Sequence, residues 1–397
     1  MDIPRITFHT VTSSRFLATL LLLTFSFQLI PIEGYEISFI KVSIMSICPL
    51  IFLFKVPFIT KALINGFLFW IICLFASLMQ EDIRFSTIGY SGLFLITFIT
   101  FYNLIHQGAF NLKYLTRLLK FLIYSYTIVL IFQQLAILLG FTSIPLINYV
   151  TFLDRGIGAN SLSIEPSHSA CLVTTFMLSY WRCFEIINGK KLSLRELFST
   201  NHKKVTISFL WAMLTMGSGT AFVCLGLLCL YFIKRNTFLY VIPLFLILFS
   251  FGQFLEIKSM NRAFDAFQYT IQGDMESLTK HDQSASIRIV PLYNSIAKLD
   301  LAQKETWFGK GTMERVSDTE SLSKVDRKLK TIDQYGLIAY IMSLILVYSC
   351  IIKNFFSIET LFFVIVLHFT ITNEYICWCP FMLFSTIGYF QKKQNFS

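Results

Sequence analysis

Apolar residues in this chain come in long stretches separated by short polar or Pro/Gly breaks. Twelve stretches stand out, near 15–31, 37–54, 62–79, 87–105, 118–140, 166–184, 205–218, 220–233, 237–255, 333–352, 356–373 and 375–390. Most approach the roughly 20 residues that a helix needs to cross a bilayer. Runs such as Leu20–Leu23 and Leu361–Leu367 are apolar throughout. Barrel strands instead alternate apolar and polar positions over about 10 residues. Helices satisfy their own backbone hydrogen bonds in lipid, so the pattern predicts an all-α polytopic integral membrane protein with about 12 transmembrane helices. The seventh and eighth are short and meet at Gly217-Ser218-Gly219-Thr220.

Polar residues gather between the ninth and tenth stretches. Residues 256–331 hold 12 Lys/Arg and 11 Asp/Glu. This divides the chain into helices with short loops (1–255), one large polar loop (256–331), and a last group of helices with a tail (332–397). Loops beyond about 15 residues are usually functional or disordered, and helical patterning here favours function. Ala285, Ile289, Leu292, Ile296 and Leu299 share one helical face, predicting an amphipathic helix that lies on the membrane surface or caps the bundle. Arg288 borders that stripe, Pro291 is a point for a kink, and a turn follows at Trp307-Phe308-Gly309-Lys310-Gly311-Thr312.

Composition agrees with the pattern. Hydrophobic residues make up 55% of 397 and charged residues 14%, with 43 Phe. A soluble chain would carry about 25% charged residues. The first stretch follows Arg5 and Arg15 like a signal peptide. It runs into Leu29-Ile30-Pro31-Ile32 without a small-x-small cleavage site, so it is predicted to be an uncleaved first helix. With a cytoplasmic N-terminus, the cytoplasmic ends and short loops hold 18 of the 33 Lys+Arg, and the short external loops and helix ends hold 3, namely Lys41, Arg84 and Arg155. That bias predicts cytoplasmic termini and a large loop outside the cytoplasm. It also accounts for most of the net charge of +10 without a nucleic-acid partner. The nine cysteines fall almost entirely in or beside predicted helices, against a disulfide framework. Cys377-Trp378-Cys379 reads as two small thiols at a helix start rather than a metal pair. No cluster has metal-ligand spacing, and no metal or cofactor is predicted.

The loop before the sixth stretch carries the densest chemistry, from Asp154-Arg155 to Glu165-Pro166-Ser167-His168-Ser169-Ala170. Glu165 and Pro166 suit a helix start, by charge and by fixed backbone angle. His168, three residues on, can share a face with Glu165. Arg155 is the one basic residue of its loop. It either pairs with Asp154 or clamps a phosphate, which guanidinium binds in bidentate fashion.

The string Arg155-x9-Glu165-Pro166-Ser167-x2-Ala170 resembles the Arg…Glu-Pro-Ser…Ala stretch of bacterial O-antigen and capsular repeat-unit polymerases of the Wzy type. The break at Ser218 resembles their Ser-containing break, although Gly219 stands where they carry Arg or Lys. Arg288 followed by Trp307–Gly311 resembles their late periplasmic loop. The resemblance implies a GT-C-like, metal-independent glycosyltransferase of the inner membrane. It would transfer a glycan from undecaprenyl pyrophosphate onto an incoming lipid-linked oligosaccharide, with a chain-length regulator protein as a further partner. Arg155 and Arg288 would bind the phosphates, and Ser218 and Lys310 would contact substrate. Glu165 or His168 would orient the acceptor hydroxyl, with Arg288 at the reaction centre.

Two other readings compete. An O-antigen ligase uses the same donor and expects a functional His in the large loop, where His281 stands. A flippase or transporter would place ionisable residues mid-membrane, whereas here His368 is the clearest such residue.

Overall fold

The computed structural model describes residues 8–27, 39–54, 59–79, 85–141, 158–232, 258–281, 285–286, 289–290, 300–309, 330–350, 357–363, 366 and 375–395. Among these residues the regular secondary structure is all helix, with no strand. The helices are α1 (Phe8–Ser26), α2 (Phe39–Phe54), α3 (Lys61–Leu78), α4 (Phe85–His106), α5 (Leu112–Leu138), α6 (Pro166–Asn188), α7 (Leu194–Leu197), α8 (Lys203–Thr215) and α9 (Gly219–Cys229). A 3-10 turn, Leu230–Phe232, follows α9. Then come α10 (Lys258–Gln272), α11 (Met275–His281), α12 (Lys304–Phe308), α13 (Lys330–Cys350), α14 (Ile358–Phe362) and α15 (Tyr375–Asn395). The predicted stretch at 237–255 lies outside the described residues, and that at 356–373 is described mainly at its start.

Among the described residues, four helical segments are long and apolar enough to cross a membrane: Lys61–Leu78, Ile88–His106, Leu112–Leu138 and Pro166–Asn188. Shorter apolar segments are Ser13–Ser26, Ile40–Leu53, Gly219–Phe232 and Gln334–Cys350. Their surfaces are those of a membrane protein. α3 turns Ala62, Gly66, Phe69, Cys73 and Ala76 inward and leaves Ile64, Phe67, Ile71, Phe75 and Leu78 exposed. An exposed apolar stripe of that length has no counterpart on a typical soluble monomer. α5 buries Leu115, Leu119, Leu122, Tyr126, Leu130 and Gln133, one face at helical spacing.

Helix ends follow from local chemistry. The Asn111 side chain accepts from the Tyr114 N–H to start α5, and Thr60 does the same for Leu63 at α3. These caps satisfy amides that the first turn leaves free. Pro166 opens α6 and Gly189, with φ 68°, closes it.

Polar contacts tie together one end of the bundle, which carries many basic residues. Arg15 Nε donates to the Ala109 carbonyl at 3.2 Å. Lys120 Nζ lies 5.6 Å from the Tyr180 ring centroid, and the Tyr180 hydroxyl pairs with His202 Nδ1 at 2.7 Å. Gln394 Nε2 donates to the Ile186 carbonyl. Buried nearby, Arg182 holds Glu359 through Nε at 2.5 Å and Nη2 at 3.2 Å, and Glu185 through Nη1 at 2.6 Å. The bidentate pair fastens the start of α14 to α6. Removing one member of such a buried pair strands the other charge.

At the other end, the Trp307–Gly309 segment sits directly on a break in α13. Gly336 there has φ 81° and ψ 179°. A Cβ at Gly336 would lie 2.1 Å from the Trp307 carbonyl oxygen, and one at Gly309 would lie 2.4 Å from the Gln334 carbonyl. Phe308 stacks edge-on against Phe75 of α3 at 6.1 Å. The large loop is thus seated backbone to backbone on a bundle helix, an approach only glycine permits.

Gly108 (φ 84°) has the same left-handed backbone with open space around it. Gly108→Ala is expected to cost about 1–2 kcal/mol of stability, the strain of a left-handed L-residue. Gly336→Ala should cost distinctly more, because backbone must move. Thermal unfolding of the purified protein in detergent measures both; equal losses would contradict the seated contact.

Candidate functional site

The segment before α6 is not a surface loop. Ala159, Asn160, Ser161, Leu162 and Ser163 are all buried among the helices. Irregular backbone inside a membrane bundle is tolerated only where protein supplies its hydrogen bonds. Here Gln133 of α5 supplies two of them, and the segment itself and α6 supply others. Gln133 Oε1 accepts from the Ser161 N–H at 2.6 Å, and Gln133 Nε2 donates to the Ser161 carbonyl at 3.1 Å. Ser161 Oγ donates to the Tyr126 carbonyl at 2.6 Å. The Tyr126 hydroxyl donates to the Ser26 carbonyl of α1 at 2.5 Å and lies 3.1 Å from Ser163 Oγ. Asn160 Nδ2 donates to the Ile164 carbonyl, and Ser169 Oγ to the Asn160 carbonyl.

Ser161 is the one non-glycine residue with positive φ (54°) among the described residues. That conformation costs roughly 1–2 kcal/mol. Three hydrogen bonds to Ser161, at about 0.5–1.5 kcal/mol each, are sufficient to offset it. The turn is held by its surroundings, a state that clusters at functional sites.

The adjacent Gln134 holds a second irregular segment. Its Nε2 donates to Thr215 Oγ1 at 2.8 Å and to the Thr215 carbonyl at 3.3 Å, while its Oε1 accepts from Trp211 Nε1 at 3.2 Å. Thr215 ends α8, just before the Gly217-Ser218 break. Gly217 there has φ 70°, and Ser218 is buried at the start of α9. Two neighbouring glutamines on α5 therefore set the pre-α6 segment and the α8/α9 break at one level of the bundle. That level lies away from the basic end.

Glu165 and His168 emerge from this scaffold. Glu165 is the N-cap of α6 but makes no side-chain cap hydrogen bond. Its Oε2 accepts instead from Ser167 Oγ at 3.1 Å and lies 4.0 Å from His168 Nε2. The Glu165 side chain is 56% exposed and that of His168 23%. A carboxylate and an imidazole thus meet at the rim of a rigid turn, an arrangement able to take and hold a proton.

Of the other predicted site residues, His281 and Ser218 are described. His281 ends α11, and its ring stacks on Tyr269 at 5.5 Å and 16°, inside the large loop. Arg155, Arg288, Lys310 and His368 lie outside the described residues. Of the predicted amphipathic stripe, Ala285 and Ile289 are described and pack against Ala266, Leu278 and Val290; Leu292, Ile296 and Leu299 lie outside the described residues. Among the described residues no three His, Cys, Asp or Glu side chains gather as a metal-ligand group. Cys379 Sγ lies 3.5 Å from Ser26 Oγ.

Sequence reasoning missed Gln133, Gln134, Tyr126 and the serines they hold. The available signal was two adjacent amides inside the 118–140 stretch, where lipid exposure would be costly. Comparison of the chain with family models, with curated proteins and with solved structures gives no match.

Replacing Gln133 with Leu should cost about 2–4 kcal/mol, because a buried N–H and a buried carbonyl each lose a partner. Ser161→Gly should be more stable than Ser161→Ala by about 1 kcal/mol, the reverse of the order in ordinary backbone. Chemical denaturation of the purified variants decides both. Ser161→Ala as the more stable of the two would rule out the left-handed turn.

Proposed function

We propose that this chain is a polysaccharide repeat-unit polymerase that moves a growing glycan from undecaprenyl pyrophosphate onto an incoming lipid-linked oligosaccharide. The observation that carries the reading is the rigid turn presenting Glu165 beside His168, within a string that resembles the polymerase Arg…Glu-Pro-Ser…Ala stretch. On this reading the protein is a GT-C-like enzyme of the inner membrane with about 12 transmembrane helices and cytoplasmic termini. Residues 256–331 form a periplasmic loop with an amphipathic helix at its centre. A chain-length regulator protein is a natural partner, and no nucleic acid is involved.

The reaction joins an acceptor hydroxyl oxygen to C1 of the donor sugar and breaks the bond from C1 to the pyrophosphate oxygen. Undecaprenyl pyrophosphate leaves with the bonding electron pair. Glu165 or His168 takes the acceptor proton as the new bond forms. Cations stabilise charge gathering on the leaving group. Arg155 and Arg288 fill that role, with Ser218 and Lys310 contacting substrate. The ligase alternative would assign the proton transfer to His281. The stacking of that ring on Tyr269 gives it less support.

A transporter reading has one point in its favour, the buried Arg182–Glu359 pair. Ionisable groups within membrane helices often mark transport pathways. This pair instead sits near the C-terminal end of α6, beside the basic residues there, and is closed by a bidentate bond that fastens α14. It fits a staple better than a pathway.

The test is gene deletion followed by complementation with single variants and analysis of surface glycan. Loss of a polymerase leaves surface lipid capped with one repeat unit. Loss of a ligase strands polymer on the carrier lipid, and loss of a flippase traps single units inside; either result overturns the proposal. Glu165→Ala, His168→Ala, Arg155→Ala and Arg288→Ala are each expected to shorten chains at normal expression. General acid–base groups contribute about 100-fold or more in rate. Full-length glycan from both arginine variants would remove the phosphate-binding assignment.

A further inference from the structure

The first helix of the large loop has three different faces. Ala266 is buried, 6% exposed, and packs with Leu278 and Val290, with Tyr269 partly buried beside them. This face and the packing of α10 against α9 anchor the helix to the bundle. Asp265, Gln268 and Gln272 form a second, exposed polar face. Phe267 and Ile271, four residues apart, form a third face that is apolar and open, 63% and 70% exposed.

A large aromatic and a β-branched aliphatic side chain stand uncovered on one stripe of this helix, beside a polar one. A helix at the boundary between lipid and water needs this division, apolar into the acyl region and polar into water. Two further facts select lipid as the occupant. α10 packs directly on α9, part of the apolar Gly219–Phe232 segment, whose own Val223 is exposed toward its surroundings. The open stripe therefore belongs to a helix packed on an apolar helix that itself leaves an apolar side chain open. The far side of the same loop repeats the chemistry, with Leu301 and Trp307 exposed and the indole N–H of Trp307 closed onto the Leu301 carbonyl at 2.9 Å. Tryptophan is enriched at membrane boundaries for its apolar body and polar edge.

We propose that α10 lies in the interface of the bilayer, with Phe267 and Ile271 inserted among phospholipid acyl chains, so that the large loop is moored to the membrane at the helix where it begins. This reaches beyond the polymerase reading and holds for any reaction the chain performs. The occupant is phospholipid, not a second protein, because the stripe is narrow and its helix packs on an apolar helix of membrane composition.

Site-specific photocrosslinking in native membranes tests it. The photoreactive amino acid p-benzoylphenylalanine is placed singly at Phe267, Ile271 and Gln268 of the full chain, in cells whose phospholipid is radiolabelled. All three side chains are exposed, so the replacement leaves packing intact. Illumination should give about tenfold more phospholipid adduct at 267 and 271 than at 268, following the amphipathic division of the helix. Adducts at 267 or 271 that join a second copy of this chain or another protein would overturn the proposal. Equal lipid labelling at 268, or none at any position, would do so as well. The readout is independent of glycan, so it separates this inference from the fate of the polymerase reading.

Discussion

Lipid offers no hydrogen bonds, so a peptide group that leaves a helix inside it must be met by the protein itself. Residues 159–163 leave helical structure while buried, and the surrounding bundle is arranged to meet them. Gln133 answers both backbone groups of Ser161. Tyr126 links the same turn to the end of α1. Gln134 extends the arrangement to the end of α8. The helices α1, α5 and α8 and the turn before α6 are thereby held in register by three side chains of α5. The exposed Glu165–His168 pair stands at the start of α6, directly after that framework.

The two ends of the bundle solve different problems. At the basic end, charged and aromatic groups staple helices together: Arg182 to Glu359, Lys120 over Tyr180, Arg15 to the turn after α4. These contacts close the structure. At the other end, neutral amides and hydroxyls hold the turn before α6, and Glu165 and His168 stand at its rim. Neutral donors and acceptors satisfy backbone without holding a permanent charge in a medium of low polarity.

The helices were legible in the sequence because apolar stretches of membrane length carry a strong signal; α5 and α6 lie close to where the pattern puts them. The start of α6 was legible too, since Glu165-Pro166 is a local instruction. The framework behind it was not. Pairing of Gln133 with Ser161 spans 28 positions, and nothing local in either segment names the other. The Arg182–Glu359 pair spans 177 positions, and each partner alone reads as an ordinary charge at a helix end. Gly309 was visible as a turn residue, but its reason lies in Gln334, a contact that only the folded chain brings about.

That contact has a mechanical consequence. Where side chains intervene between two elements, rotamer changes let one slide over the other. Between Trp307–Gly309 and Gln334–Gly336 there is no such cushion, because backbone meets backbone. A tilt or rotation of α13 is therefore handed to that part of the large loop without slack, and a load on the loop reaches the membrane helix in the same way. The loop and α13 behave as one lever with its fulcrum at two glycines.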